Sequence, residues 1–306
     1  MAKVGDEGFS VGRRAILKVA GGAAAAFATM VDTGGPIFSG SRAEAATPAT
    51  DARSRPLDRP LDRGLWITWY DLPDDGRAAY LSWLHETYIP GLLQRPGFLW
   101  AAHYASVERG TVRSIRRQDA LSNTADSSVP TGDRYILLFG AEHANLFGNP
   151  VPSALHAALS VESRKMLALR IGERVNIMVE AARVEGPEAK KYQGGMALAP
   201  CIQLGSFNCA YQDEEEMLAW YAQSRMPAMS TLPGCVRTRK LASVSGWAKH
   251  AILYEYVSLE ARNRYYLTLE DGHPEMKAWS DRIVPKLNHA PGSANLARRI
   301  WPAVTS

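Results

Sequence analysis

Trp83–Gly97 reads WLHETYIPGLLQRPG, and Trp220–Gly234 reads WYAQSRMPAMSTLPG. Trp83, Pro90, Pro96 and Gly97 recur as Trp220, Pro227, Pro233 and Gly234, each pair at one offset (220 − 83 = 137). One offset shared by residues that punctuate structure marks an internal repeat, and a repeat governs how the rest of a chain is read. Two copies are too few for a solenoid, so two similar modules docked together are expected. Tyr80, Trp83, Leu84, Tyr88 and Leu92 fall at three- and four-residue steps, the apolar stripe of a helix over about 77–93. Pro90 sits inside that helix, where it offers no N–H to the carbonyl of Glu86 and crowds it. Pro227 repeats this cost. Either the kink positions something, or both prolines descend from one ancestral module. Pro96-Gly97 then ends the helix in a tight turn, Pro presetting φ and Gly tolerating φ > 0.

Around this stretch the two modules read alike. In the first, strands are expected at Leu65–Tyr70, Phe98–Val107, Arg134–Phe139 and Asn176–Val184, with a second helix over Val151–Ile171. In the second, strands fall at Ile202–Phe207, Cys235–Val244, Ala251–Val257 and Leu296–Val304, with helices over Asp213–Ser230 and Pro274–Leu287. Ser245-Gly246 makes the hairpin. The Arg-bearing segment Glu108–Asp133 has no counterpart in the second module and reads as a solvated loop or a lid. Both modules therefore run strand–helix–strand–strand–helix–strand, the ferredoxin-like βαββαβ order of an α+β fold. Each sheet has helices on one face and leaves the other bare. Two modules in one chain can cover each other, sheet to sheet, as a closed barrel.

The chain has 306 residues, 46% hydrophobic and 22% charged, with a mild net charge of +4, an ordinary globular composition without the dense basic patch of a nucleic-acid binder. Gly12–Lys18, GRRAILK, resembles a twin-arginine export signal; Val19–Thr29 is weakly apolar, and Ala43-Glu44-Ala45 offers a cleavage site. The expected division is a signal peptide over 1–45, a Pro- and charge-rich linker over 46–63, module one over 64–186, a linker over 187–200 and module two over 201–304. The protein is then periplasmic or secreted. Its transient partner is the twin-arginine translocation machinery, and it keeps no membrane span after cleavage. The three cysteines, Cys201, Cys209 and Cys235, form no disulfide framework; the strand order puts Cys209 and Cys235 at opposite ends of strands that a third separates.

The pattern aromatic…Pro…Pro-Gly-apolar, following one strand and leading into the next, resembles the dimeric α/β-barrel proteins, especially the EthD-like branch. The resemblance spans both modules. It implies a barrel wrapped by helices and a small apolar or aromatic ligand. Members include monooxygenases, dehydratases and isomerases acting on aromatic or polyketide compounds, and several proteins with no known role. EthD-like proteins commonly carry a His just before the Pro; here His85 and Tyr88 occupy that neighbourhood, while module two offers Gln223 and Arg225. Dye-decolourising peroxidases share the fold and the export route, but their Gly-x-x-Asp-Gly signature is absent. Glu270-Asp271-Gly272-His273 is a faint echo of it, so haem is the minor alternative to a protein with no cofactor. No metal-binding or phosphate-loop motif is present.

The candidate chemistry follows. Leu65 and Ile67 align with Ile202 and Leu204, apolar in both copies, and are expected to face the helices. Trp66, Thr68 and Tyr70, with Gln203 and Phe207, then line the barrel and receive the ligand, unless they merely pack the two sheets. His85 and Tyr88, three apart on one helix, are candidates for proton transfer, with His103 on the next strand. Glu255 is the one carboxylate in an apolar strand; pointing inward, it is a third catalytic candidate. Arg237 and Arg239 share a strand face, placed either to take an acidic ligand or to guard an exposed edge. Three readings stay open: an exported enzyme of cofactor-independent proton transfer, dehydration or oxygenation; a non-catalytic ligand-binding or stress-related protein; and a haem peroxidase. A homo-oligomer is compatible with all three.

Overall fold

The computed structural model describes residues 62–107, 121–192 and 198–304. The expected signal peptide and nearly all of the first linker lie outside them, as do residues 193–197 of the second linker and residues 108–120 of the insertion.

The repeated stretch folds the same way twice. Helix α1 (Arg77–Trp83) passes through a π turn (Leu84–Tyr88) into α2 (Ile89–Leu93). In the second half α5 (Glu214–Trp220) passes through a π turn (Tyr221–Arg225) into α6 (Met226–Thr231). The N–H of Ile89 bonds the carbonyl of Leu84, and that of Met226 bonds Tyr221, both one residue longer than an α-helical bond. Each proline thus opens a new helical segment, a position where its missing N–H costs nothing. The expected kink is a π turn, a feature that often marks functional sites. The terminal glycines repeat as well. Gly97 has φ 86° and Gly234 φ 80°, and a Cβ there would come within 2.5 Å of Leu146 and 2.7 Å of Ala261.

The strands are β1 (Gly64–Asp71), β2 (Phe98–Ser106), β3 (Ser122–Asn123), β4 (Tyr135–Ala141), β5 (Ile171–Glu185), β6 (Cys201–Cys209), β7 (Cys235–Ser245), β8 (His250–Tyr256), β9 (Leu287–His289) and β10 (Asn295–Trp301). Within the first half the order is β2-β4-β1-β5, and within the second β7-β8-β6-β10, all antiparallel. The pairs β5–β7 and β10–β2 join the halves, so these eight strands close into a barrel within one chain. The remaining helices are α3 (Pro152–Ala157), α4 (Val161–Leu167), α7 (Leu259–Tyr265) and α8 (Pro274–Ile283).

Several boundaries differ from expectation. The single helix expected over Val151–Ile171 is two short ones, because Ser160 caps a new start by accepting from the N–H of Ser163. β5 begins at Ile171 rather than Asn176, and α7 and β9 were not expected. The described end of the insertion, residues 121–133, is mostly exposed loop, as expected, tied down at two points. β3 pairs with β9 in the other half, and Val129 is buried.

Three apolar clusters fill the fold. One holds Leu65, Ile67, Trp69, Leu138, Met178, Ile202, Leu204, Leu241 and Leu253, drawn from both halves, and occupies the barrel interior. The second lies between α5–α8 and the outer face of the second half's sheet, the third between α1–α4 and that of the first. The two expected faces are therefore exchanged. Leu65, Ile67, Ile202 and Leu204 line the barrel, whereas Trp66, Tyr70 and Phe207 lie under the helices. Strand parity carries Thr68 and Gln203 with them. The physical reason is that a closed eight-stranded barrel is just wide enough to be filled by side chains. Positions that meet their own counterparts across that interior are the ones held apolar in both copies.

The three cysteines are free thiols. Cys235 pairs across β8 residue Tyr256, whose other neighbour is Cys201; Cys209 lies at the far end of β6.

Candidate functional site

The polar side chains of the first half gather between its sheet and its helices. The hydroxyl of Tyr70 lies 2.8 Å from Nε2 of His103, and Nδ1 of His103 lies 2.8 Å from Nε2 of His85. This chain starts at half-buried His85, on the π turn, and ends at Tyr70 and His103, both with no exposed surface. Tyr135 stacks on Tyr70 and His103 at centroid distances of 5.7 and 5.5 Å. Trp301, from the last strand of the other half, stacks on His85 at 6.1 Å.

A second group adjoins the first. The guanidinium of Arg170, at the junction of α4 and β5, lies 4.6 Å over the ring of Tyr70. It donates to the Tyr80 hydroxyl at 2.7 Å and to Glu173 at 2.5 Å. Tyr88 and His156 are hydrogen-bonded, oxygen to Nε2, at 2.7 Å. His85 and Tyr88 thus engage different partners, not each other, although three residues separate them. Residues 84–88 turn as a π helix, which spreads side chains that an α-helix would stack.

Burial sets the protonation states. It pushes the His103 pKa well below the ordinary value, with His85 and Arg170 adding to the effect. It also lowers His85, against a small opposing pull from Glu86, and lowers His156. Burial raises Tyr70 well above its usual value, so its proton stays on. Arg170 stays charged: burial alone would lower its pKa, but the surrounding tyrosines and Glu173 outweigh that and raise it. A neutral imidazole has one donor and one acceptor nitrogen. If Nε2–H of His103 donates to Tyr70, its Nδ1 accepts from Nε2–H of His85. The remaining Nδ1 of His85 then carries a lone pair, the state a general base needs.

The other expected site residues lie elsewhere. Glu255 points inward, 1% exposed, but into the barrel and on the opposite side of the sheet from the histidines. It meets Arg239 at 3.4 Å and Arg237 at 3.7 Å, and accepts the N–H of Ala199 at 3.1 Å. Arg239 also pairs with Asp62 at 2.8 Å, and Arg237 with Glu185 at 2.9 Å. Burial favours protonation of Asp62, yet Arg239 and Arg183 outweigh it and bring the pKa down to about 2. These arginines serve carboxylates of their own chain, not an acidic ligand. β7 has neighbours on both sides, so they guard no edge either. Gln203 holds buried Arg262, accepting from Nε at 2.9 Å and Nη2 at 2.5 Å. Phe207 packs on His289 at 5.3 Å.

Sequence reasoning missed Arg170, His156, Tyr80 and Trp301. His156 follows buried Leu155 on a short helix, where a lone histidine carries no signal of its own. Arg170 lies at a helix–strand junction where an arginine reads as exposed. Only the tertiary fold brings either to the site.

The fold is that of the dimeric α/β-barrel proteins. The likeness to an anthrone oxidase-like protein has a TM-score of 0.50 at 10% identity, over 78% of this chain and 92% of that one. Looser likenesses link it to a proposed monooxygenase from Fusobacterium nucleatum (TM-score 0.48, 9% identity, 78% and 93% covered) and a dye-decolorizing protein from V. cholerae (0.44, 12%, 79% and 95%). No protein-family model and no curated relative matches the sequence.

Haem chemistry, the minor alternative raised by this fold, needs an axial ligand whose free nitrogen faces a macrocycle-sized space. His103 has both ring nitrogens bonded. Nε2 of His85 is bonded to His103 and Nε2 of His156 to Tyr88, and the ring of His85 stacks on Trp301. The three imidazoles of this layer are thus held by one another and by tyrosines. Among the described residues, no group of three His, Cys, Asp or Glu is placed to hold a metal, and no helix is long and apolar enough to cross a membrane.

Proposed function

We propose that this chain is an exported protein of two tandem ferredoxin-like modules, EthD-like in kind, that binds a small aromatic molecule and takes a proton from it without a cofactor. The leader GRRAILK supports export to the periplasm or beyond. The strand orders β2-β4-β1-β5 and β7-β8-β6-β10 support two modules, divided between Glu185 and Cys201. One observation carries the chemical reading: the unbroken path His85–His103–Tyr70, with both distances 2.8 Å. His85 is the base. His103 is a positioning residue that fixes the ring and tautomer of His85, and Tyr70 in turn fixes His103. Trp66, Thr68, Tyr88 and His156 form the aromatic and polar surroundings in which a ligand is held beneath the helices.

An acid strengthened by aromatic conjugation suits a neutral imidazole base. Anthrone is a fitting probe, because loss of one methylene proton gives an aromatic enolate. Oxidation by dioxygen would then give anthraquinone and water (C14H10O + O2 → C14H8O2 + H2O). The proton step is testable alone, by following deuterium exchange at the anthrone methylene by NMR without oxygen. The protein is expected to accelerate exchange, and His85→Asn to reduce that acceleration about a hundredfold or more. Exchange as fast with His85→Asn as with the native protein overturns the assignment.

A further inference from the structure

The offset that relates the two halves also relates two buried clusters. Tyr70 corresponds to Phe207 and His103 to Lys240, each 137 positions on, as 207 − 70 and 240 − 103 both show. Strand register extends the match: Tyr70 pairs with Tyr135, and Phe207 pairs with His250. The place that holds the histidine chain in the first half therefore holds Lys240 and His250 in the second. Lys240 is 6% exposed. Its Nζ lies 3.3 Å from Nδ1 of His250, and Nε2 of His250 lies 3.2 Å from Oε1 of Glu214. The rings of Phe207 and Tyr221 lie 5.7 and 5.4 Å from the same Nζ.

We propose that Lys240 is a second reactive centre, an amine that condenses with an apolar aldehyde or ketone, with His250 receiving its proton and Glu214 fixing His250. The geometry sets each role. Because the ammonium donates to Nδ1 of His250, that nitrogen carries the lone pair, and Nε2–H points to the carboxylate. A lysine placed among aromatic rings beside a proton acceptor is activated as a nucleophile by desolvation. The freed amine adds to the carbonyl carbon to give a carbinolamine. Loss of its hydroxyl as water, with a proton from His250, leaves a C=N bond to Nζ. Amine and carbonyl thus give imine and water. The aromatic rings around Nζ favour a carbonyl compound with an apolar or aromatic body.

The charge environment agrees. Burial brings the Lys240 pKa down to about 8, against opposing pulls from Glu214 and Cys209. Burial and Lys240 keep His250 neutral, with Lys249 adding to them and Glu214 opposing. The titratable and charged groups around Lys240 are therefore His250 from β8, Lys249 from the turn before it, Glu214 from α5, Cys209 from β6 and Tyr221 from the π turn. Nothing in this inference depends on the base assigned to His85.

The test is reductive trapping. The protein is incubated at pH 7.5 with benzaldehyde and cyanoborohydride, which reduces the imine to a benzylamine, and labelled lysines are located by mass spectrometry of peptides. Lys240 is expected to label at least about tenfold faster than exposed Lys249 and Lys277, since a lower pKa leaves more neutral amine at that pH. His250→Gln, with an unchanged circular dichroism spectrum, is expected to slow labelling of Lys240 at least tenfold and leave Lys277 unaffected. Labelling of Lys240 no faster than of the exposed lysines overturns the reactive centre. Unchanged labelling with His250→Gln overturns the role of His250. Both readouts survive even if substitution of Lys240 itself prevents folding.

Discussion

His103 is a buried neutral imidazole, and that state has a consequence for stability. Its folded pKa lies well below the value of about 6.5 expected of an unfolded chain. The unfolded chain then binds more protons at mildly acid pH, so stability is full above that value and falls as pH drops below it. His85 and His156 act in the same direction. Chemical denaturation between pH 7.5 and 5 is expected to show this loss, and His103→Phe to show a shallower one. The same shift predicts the pH profile of the base. Exchange at the probe is expected to rise from acid and to level off before neutrality, because His85 is deprotonated below its ordinary pKa; a rise that continues past pH 8 would point to another group. Of these residues, His85, Tyr70 and His103 could be picked out from sequence because each lies on a recognisable strand or helix. Their hydrogen bonding could not, since it depends on a strand register that no local pattern displays.

At the scale of elements, the duplicated proline is the most readable feature and also the one whose meaning changed. Sequence shows that Pro90 and Pro227 break an α-helical hydrogen bond; it does not show that each helix absorbs the break by widening one turn. That turn carries His85 in one half and Arg225 in the other. Pro90→Ala restores a donor, and an uninterrupted helix becomes available to this segment. Stability is expected to hold or to rise by about 1 kcal/mol, since Pro is the poorer helix former. Proton exchange at the probe is expected to fall at least about tenfold, because a misplaced base loses its alignment. Thermal denaturation together with the exchange assay distinguishes this from simple damage, which would lower both. Strand faces show the opposite limit. Alternation separates Trp66, Thr68 and Tyr70 from Leu65 and Ile67 without fault, but alternation carries no sign. Which set faces the barrel was decided by the volume of a closed eight-stranded interior, a property of both halves together.

At the scale of the whole molecule, closure divides the chain into an apolar inside that holds it together and a layer beneath the helices of each half where buried polar groups gather. β10 closes the barrel against β2 and brings Trp301 onto His85, so the second half completes the site of the first. Inside, Glu255 neutralises Arg237 and Arg239. Glu255→Ala takes one carboxylate from Arg237 and Arg239, which keep Glu185 and Asp62, and leaves the buried N–H of Ala199 without its acceptor; it is expected to cost about 1–3 kcal/mol in denaturant titration. Probe exchange per folded molecule is expected to stay unchanged, which a catalytic Glu255 would not allow. The α+β class and the closed barrel wrapped by helices were legible from the chain. Arg170 and His156 were not, because their roles arise where distant segments meet.

The most direct measurement is an NMR titration of the 15N-labelled protein with anthrone, following tryptophan indole and histidine resonances. Shifts at Trp301, His85 and His103 are expected, with the indoles of Trp69 and Trp100 inside the barrel left in place. Shifts at Trp69 and Trp100, with His85 and Trp301 unmoved, would put the ligand in the barrel and contradict a site beneath the helices.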